Sequence, residues 1–334
     1  MSFTAARTSK AAFEITKGLR QVLTLSEADV ERYLDLRELL DGLEDGFRGL
    51  ELGEVRSPPR PQITVPGKGF SLAMPAWRPG APIMVKVVNV FDANLAIDVP
   101  NHLAMIMLFE QDTGATLCVM DGTYITGVRT AASAVLSARM LARKGARVAT
   151  VVGAGVQARE HLRLLPLIRD FDRINVCSLH FEEAERLASR SPLARATRDL
   201  ETAIRESDIV CLATHSAEPV IRSNWLKAGA HVSSVGYHPP RGELPFELVR
   251  DQRLFVETHD AFASPPVGCA ELAGLPKGAA SSLGAVVLGK SPGRVDEKEI
   301  TVYKAMGIAM EDMVAATLAY DGARAEHGGH LMDW

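Results

Sequence analysis

Cysteine is scarce and scattered. The four thiols, Cys118, Cys177, Cys211 and Cys269, stand far apart and form no CxxC pair, which argues against a structural zinc site or a redox motif and for buried free thiols. Long apolar runs are absent as well. No stretch approaches the roughly 18 consecutive apolar residues of a membrane helix, and the N-terminus has no continuous apolar run of signal-peptide type. A cytoplasmic protein with no membrane partner is the expectation. Charge of one sign is not in excess either: 37 basic against 41 acidic side chains leave a formal −4. Nucleic-acid binding depends on neutralising many phosphates at once, so no nucleic-acid partner is expected. Hydrophobic residues at 47% and charged ones at 23% are ordinary for a globular chain, and exclude disorder and fibrous architectures.

What is present is enough chain for two domains, since 334 residues allow each to bury its own core. Within residues 1–21, Arg7, Lys10, Lys17 and Arg20 oppose Glu14 alone. This stretch reads as a loosely ordered tail, with an organelle-targeting arm as the alternative. From Ser26, an N-cap followed by acidic first turns and apolar residues at helical spacing predicts two helices. Residues 56–82 are rich in proline and glycine. Residues 83–91 (IMVKVVNVF) and 104–120 read as strands, the latter as a pair turning at Asp112-Thr113-Gly114, and antiparallel pairing is expected. The small residues and late basic residues of ITGVRTAASAVLSARMLARKG predict one long helix closed by Gly145.

Beyond that helix, strand-like and helix-like runs alternate: ARVATVVG, QAREHLRLLPLIR, INVCSL, FEEAERLASR, DIVCLAT, HVSSVG and RLFVET. Apolar strands separated by helices imply a mainly parallel sheet covered on both faces, a doubly wound α/β domain. Residues 297–328 read as one final long helix.

The run Gly153-Ala154-Gly155-Val156-Gln157-Ala158 follows a strand and opens a helix, the context that a dinucleotide fingerprint requires. Gly153 permits the tight turn, Gly155 lets the backbone approach a pyrophosphate, and Ala158 lets helix and strand pack closely. The amide groups at the helix start then face the phosphates. At the end of the next strand an acidic residue would select NAD by its ribose hydroxyl. Cys177-Ser178-Leu179-His180 offers none there, and Ser178 and His180 are suited to a 2'-phosphate. The reading therefore leans to NADP(H), with NAD(H) still open and exposed loop residues as the plain alternative.

With these residues in view, MDGTYITGVRTAASAV followed by VVGAGVQA resembles the ornithine cyclodeaminase/mu-crystallin family. Further similar pieces are Pro58-Pro59-Arg60, Met74-Pro75, the strand carrying Lys86, the Thr113-Gly114 turn and MGIAMED at 306–312. The resemblance implies an N-terminal α/β domain for substrate binding and homodimerisation, formed by residues 1–127 and 308–334, and a Rossmann-type NAD(P)-binding domain at 128–307. It places substrate contacts at Arg60, Lys86 and Arg129 and a cofactor contact at Thr214, while Val235 and Gly236, also read as cofactor-binding, end a strand of the Rossmann half, where open parallel sheets hold ligands. Arginine suits a substrate carboxylate because its planar fork forms two parallel charge-assisted bonds. Lys86, among apolar neighbours, is an acid or base whose pKa desolvation would lower. On residues alone, Lys86 reads as a lysine snorkelling from a sheet edge and Arg129 as an ion pair near a helix start.

Two departures bear on the reaction. Cyclodeaminases of the family carry an aspartate where this chain has His238, and Val99-Pro100-Asn101 stands where a threonine is common. A histidine exchanges protons near neutrality but supplies no fixed negative charge to a substrate amine. The expectation is therefore an NAD(P)-dependent imino acid reductase or amino acid dehydrogenase acting on a small substrate, with Arg60, Lys86, Arg129 and His238 as catalytic residues. A cyclodeaminase that releases ammonia and a non-catalytic mu-crystallin-like binding protein are the alternatives.

Overall fold

The computed structural model describes residues 21–236, 238, 240–265 and 267–333; the basic N-terminal stretch, through residue 20, lies outside the described residues. Strand β1 (Gln21–Leu25) enters helix α1 (Glu27–Tyr33) through a capping box, in which Asp29 N donates to Ser26 Oγ and Ser26 N to the Asp29 carboxylate. Helix α2 (Leu36–Leu52) buries Leu39, Leu40, Leu43 and Phe47, one face at helical spacing. The strands β2 (Gln62–Val65), β3 (Gly69–Ala76), β4 (Ile83–Val90), β5 (His102–Phe109) and β6 (Thr116–Asp121) follow. Two of them arise in the region that its proline and glycine content had left without strands.

Helix α3 (Thr123–Leu141) stops before the expected Gly145. Ala146 N turns back to Arg143 O, closing a tight turn there. The alternation then runs β7 (Val148–Val152), α4 (Val156–Ile168), β8 (Arg173–Cys177), α5 (Phe181–Ala188), β9 (Ala194–Ala196), α6 (Leu200–Glu206), β10 (Ile209–Leu212), β11 (His231–Ser234), α7 (Phe246–Asp251), β12 (Arg253–Val256), β13 (Ala280–Ser282) and α8 (Leu283–Val287). The predicted final helix is corrected by the structure: it divides into strand β14 (Thr301–Lys304), helix α9 (Ala309–Ala325) and, after the helix, strand β15 (His330–Asp333). Thr301, Val302, Tyr303 and Lys304 are all buried between β11 and β12, as an interior strand of a parallel sheet requires.

The chain forms two compact units: one from the residues up to Asp35, Val55–Thr126 and Asp312 onward, the other from Leu36–Glu54 and Gly127–Glu311. Helix α2 thus groups with the second unit, where the sequence division had placed it in the first. Its Phe47 carbonyl lies where a Cβ on Gly284 of α8 would be, and its Asp41 and Glu44 pair with Arg139 of α3.

The first unit holds a seven-stranded sheet in the order β15-β1-β6-β5-β4-β3-β2. β2 to β6 are joined antiparallel, as expected for β4 to β6, whereas β1 runs parallel to β6. Side chains alternate across a strand. The register puts Met74, Lys86, Ile106 and Met120 in one row of the buried face, and Ala73, Val87 and Met105 in a row of the other.

The second unit holds an eight-stranded parallel sheet in the order β13-β12-β14-β11-β10-β7-β8-β9. From β7 the chain steps outward to β8 and β9, then returns to β10 on the other side and continues to β11. Because such crossovers are right-handed, this reversal sends helices to both faces. It is a doubly wound sheet of Rossmann type. Val152, Val210, Leu212, Val232, Val256 and Val302 anchor its core. All four cysteines are buried and unbonded.

Candidate functional site

In the second unit the strand β7 ends at Gly153, whose φ of +120° lies in the region favouring glycine. A Cβ there would sit 2.3 Å from the Ala213 carbonyl oxygen, so the turn passes too close to the end of β10 for any side chain. Gly153 N donates to Cys177 O at 2.7 Å, which ties the turn to β8. Gly155 is the N-cap of α4 and has no side chain to satisfy the first-turn amides. A Cβ on it would meet nothing within 4 Å. Open space over a helix start with unsatisfied amides is what a pyrophosphate needs. Ala154 is half-buried, Val156 exposed and Gln157 half-buried, while Ala158 is buried where α4 enters the core. The residues present therefore fit a dinucleotide.

The other cofactor candidates lie at the same, carboxyl, edge of the sheet. Ser178 and His180 follow β8, the first half-buried and the second exposed. Ser178 Oγ donates to Glu183 on α5 at 3.4 Å, so a carboxylate is near after all, supplied by the helix rather than the strand. A groove of about 390 Å³ runs from Ala154, Gly155 and Val156 to Arg159, Glu183, Arg186, Leu187 and Arg190. Its three arginines were not singled out from the sequence, where they look like the solvated faces of two helices.

Thr214 follows β10, and Val235 and Gly236 follow the neighbouring β11. One buried carboxylate, Glu243, links these two turns, accepting from Thr214 N at 2.8 Å and from Gly236 N at 2.7 Å. No sequence pattern marked Glu243. His238 is half-buried, and its ring meets that of His215 edge-on with centroids 4.5 Å apart. His215 was likewise not anticipated.

Arg129, on α3, is almost wholly buried, and its Nη1 lies 2.9 Å from Glu311 Oε2. Gly307, at φ +73°, leaves the space that the guanidinium fills: a Cβ there would be 2.0 Å from Arg129 Nη1. The Glu257 carboxylate accepts from Met306 N and Gly307 N and holds this turn. Burial, with the Glu257 carboxylate next in weight, pushes Glu311 well above the usual carboxyl range against the pull of Arg129.

In the first unit Lys86 is fully buried on β4, with its Nζ 2.8 Å from Oδ1 of the equally buried Asp312. It does not snorkel, and its surroundings are not purely apolar. Arg60 is half-buried in the segment before β2. Both carboxylates, Glu311 and Asp312, belong to the MGIAMED segment.

Residues 20–327 match the ornithine cyclodeaminase/mu-crystallin family. The chain belongs to this family. Among its relatives is the ketimine reductase mu-crystallin of Mus musculus, 33% identical over 273 residues, which make up 80% of this chain and 86% of that protein. Among solved structures, the Delta(1)-pyrroline-2-carboxylate reductase of Thermococcus litoralis, in complex with NADH and L-proline, superposes with a TM-score of 0.85 at 31% identity, over 92% of this chain and 99% of that one. An archaeal alanine dehydrogenase dimer with bound NAD superposes with a TM-score of 0.84 at 27% identity, over 94% and 99%.

Proposed function

We propose that this protein is an NAD(P)(H)-dependent oxidoreductase that transfers hydride at the α-carbon of a small amino or imino acid, as an imino acid reductase or amino acid dehydrogenase. The observation that carries this reading is the Gly153–Ala158 turn, side-chain-free where a pyrophosphate would approach, in a chain whose family relatives include a ketimine reductase, a pyrroline-2-carboxylate reductase and an alanine dehydrogenase. When bound, the reduced nicotinamide supplies the hydride. The chain's part is to hold the substrate and manage one proton. Arg60 and Arg129 take the substrate carboxylate, a role that Arg129 plays with its guanidinium oriented by Glu311. Lys86, ion-paired with Asp312, delivers the proton that the substrate nitrogen needs, and His238, its ring against that of His215, is the further catalytic residue of this reading.

For the cofactor's second choice the proposal is NADP(H). Arg159, Arg186 and Arg190 line the groove at the glycine turn, and Glu183 is the one carboxylate among its lining residues. Three cations against one anion favour an added phosphate. The protein acts as a homodimer in this reading, supported by the apolar outer face of its first-unit sheet and by the dimer of the archaeal relative.

The test is direct. Purified protein is incubated with NADPH or NADH and a panel of cyclic and linear imino acids while nicotinamide absorbance is followed. Oxidation with at least one member, faster with NADPH, is expected. If no member is reduced, the proposal fails. If ornithine or lysine instead yields stoichiometric ammonia and a cyclic product with only trace oxidised cofactor, the protein is a cyclodeaminase.

A further inference from the structure

Glu243 lies seven residues beyond Gly236 and is wholly buried. Its carboxylate accepts from both turns at once: Oε1 from Gly236 N at 2.7 Å and Ser234 Oγ at 2.8 Å, Oε2 from Thr214 N at 2.8 Å and Thr214 Oγ1 at 2.6 Å. Lys304, also buried, reinforces the same place, with Nζ 2.6 Å from Gly236 O, 3.1 Å from Ser234 Oγ and 2.6 Å from Glu271 Oε2. Glu271 in turn accepts from Leu244 N at 3.1 Å, next to Glu243. The two turns touch so closely that a Cβ on Gly236 would fall 2.0 Å from Thr214 O.

Stability is a poor reason for such a cluster, because buried ionic groups cost desolvation and apolar replacements of similar volume often do as well. The location supplies a better one. Thr214 and Gly236 follow β10 and β11, beside β7, where the strand order reverses. Open parallel sheets hold ligands outside the carboxyl ends at such a reversal. A dinucleotide with its pyrophosphate at Gly153–Ala158 and its adenosine end toward β8 would extend its nicotinamide half over β10 and β11.

We propose that Glu243 is a positioning residue for the nicotinamide: by clamping the Thr214 and Gly236 turns at a fixed separation, its carboxylate shapes the surface against which the ring lies. The proposal rests on the dinucleotide reading above. All four of its partners donate, so only an acceptor on both oxygens satisfies them. Glutamine in its place turns an NH2 group toward one pair of donors and releases that turn.

The experiment compares wild type with Glu243→Gln, measuring affinity for NAD(P)H and for ADP-ribose and its 2'-phosphate, which lack the nicotinamide. It also measures hydride transfer in a single turnover at saturating cofactor. ADP-ribose affinity is expected to stay within about twofold, NAD(P)H affinity to fall about tenfold, and hydride transfer to fall about 100-fold, as a misplacement of about 1 Å would cause. Ser234→Ala, which removes one of the four donors, should shift the same quantities in the same direction by about threefold, and it carries the test if the glutamine variant does not fold. Equal weakening of both ligands, or no change in either, overturns the positioning role while leaving the dinucleotide reading intact. Failure of the wild type to bind any of these ligands instead removes the dinucleotide reading, and the inference with it.

Discussion

His231, at the start of β11, is wholly buried, with Nε2 3.1 Å from Ser137 Oγ and Nδ1 2.9 Å from Thr301 Oγ1. Burial, followed by the Arg294 and Arg169 guanidinium groups, pushes its pKa down to about 3. The folded state therefore keeps the ring neutral while an unfolded histidine protonates near pH ~6.5. Its contribution to stability is full above that pH and is lost as pH falls toward 3. For His231→Asn, the plot of unfolding free energy against pH should be shallower than the wild-type plot by about 1.4 kcal/mol per pH unit between pH ~6 and ~4. Urea unfolding at a series of pH values reads this difference, and parallel plots would refute it. Single residues were legible unevenly. Gly153 announced itself because a turn between strand and helix leaves glycine a recognisable job. Lys86 and Arg129 could be chosen, but not their partners: Asp312 and Glu311 stand 226 and 182 residues away, and no periodicity links positions so distant. Glu243 and His215 had no pattern at all, since what singles them out is only what the fold brings to them.

At the scale of elements, the parallel half was read well because each buried strand is a short apolar run set between helices with their own period. The exception is instructive. Thr301–Lys304 continues without interruption into Ala- and Met-rich sequence, and four residues are too few to show a period of two against the helical pattern that follows. What separates strand from helix is Gly307, in the left-handed region at φ +73°. Gly307→Ala should therefore be costly. The backbone region alone costs about 1–2 kcal/mol for an L-residue, and the new methyl would fall 2.0 Å from Arg129 Nη1. A loss of about 2–3 kcal/mol is expected, together with a fall in turnover of tenfold or more as Arg129 is displaced from Glu311. Thermal unfolding and kcat/KM measured on the same preparation decide it: unchanged values for both would show that the turn tolerates a side chain and that Arg129 has no need of the space.

For the whole molecule, the non-local pairings of the first-unit sheet were the least legible part. β1 pairs with β6 and with β15, more than 300 residues away in the second case, and neither the neighbour nor the direction of such a strand is written in its own residues. Alternation along β4 and β5 does carry one message that the fold makes plain. The buried face takes Met84, Lys86, Val88, Ile106 and Leu108, yet the opposite face is apolar too, with Val85, Val87, Leu103, Met105 and Met107. There Met105 is 52% and Leu103 40% exposed, and Ile63 on the edge strand β2 is 72% exposed. A contiguous apolar sheet face of this kind marks an interaction surface, and a stable interface needs about 800 Å² from each partner. In the proposed homodimer this face packs against its copy. Met105→Glu places a charge on this face, which packing against a second copy would bury without a partner. Sedimentation equilibrium should give twice the chain mass for the wild type and the single-chain mass for the variant at micromolar concentration. A wild type that sediments as a monomer, or a variant as dimeric as the wild type, would show that this face is not where two copies meet.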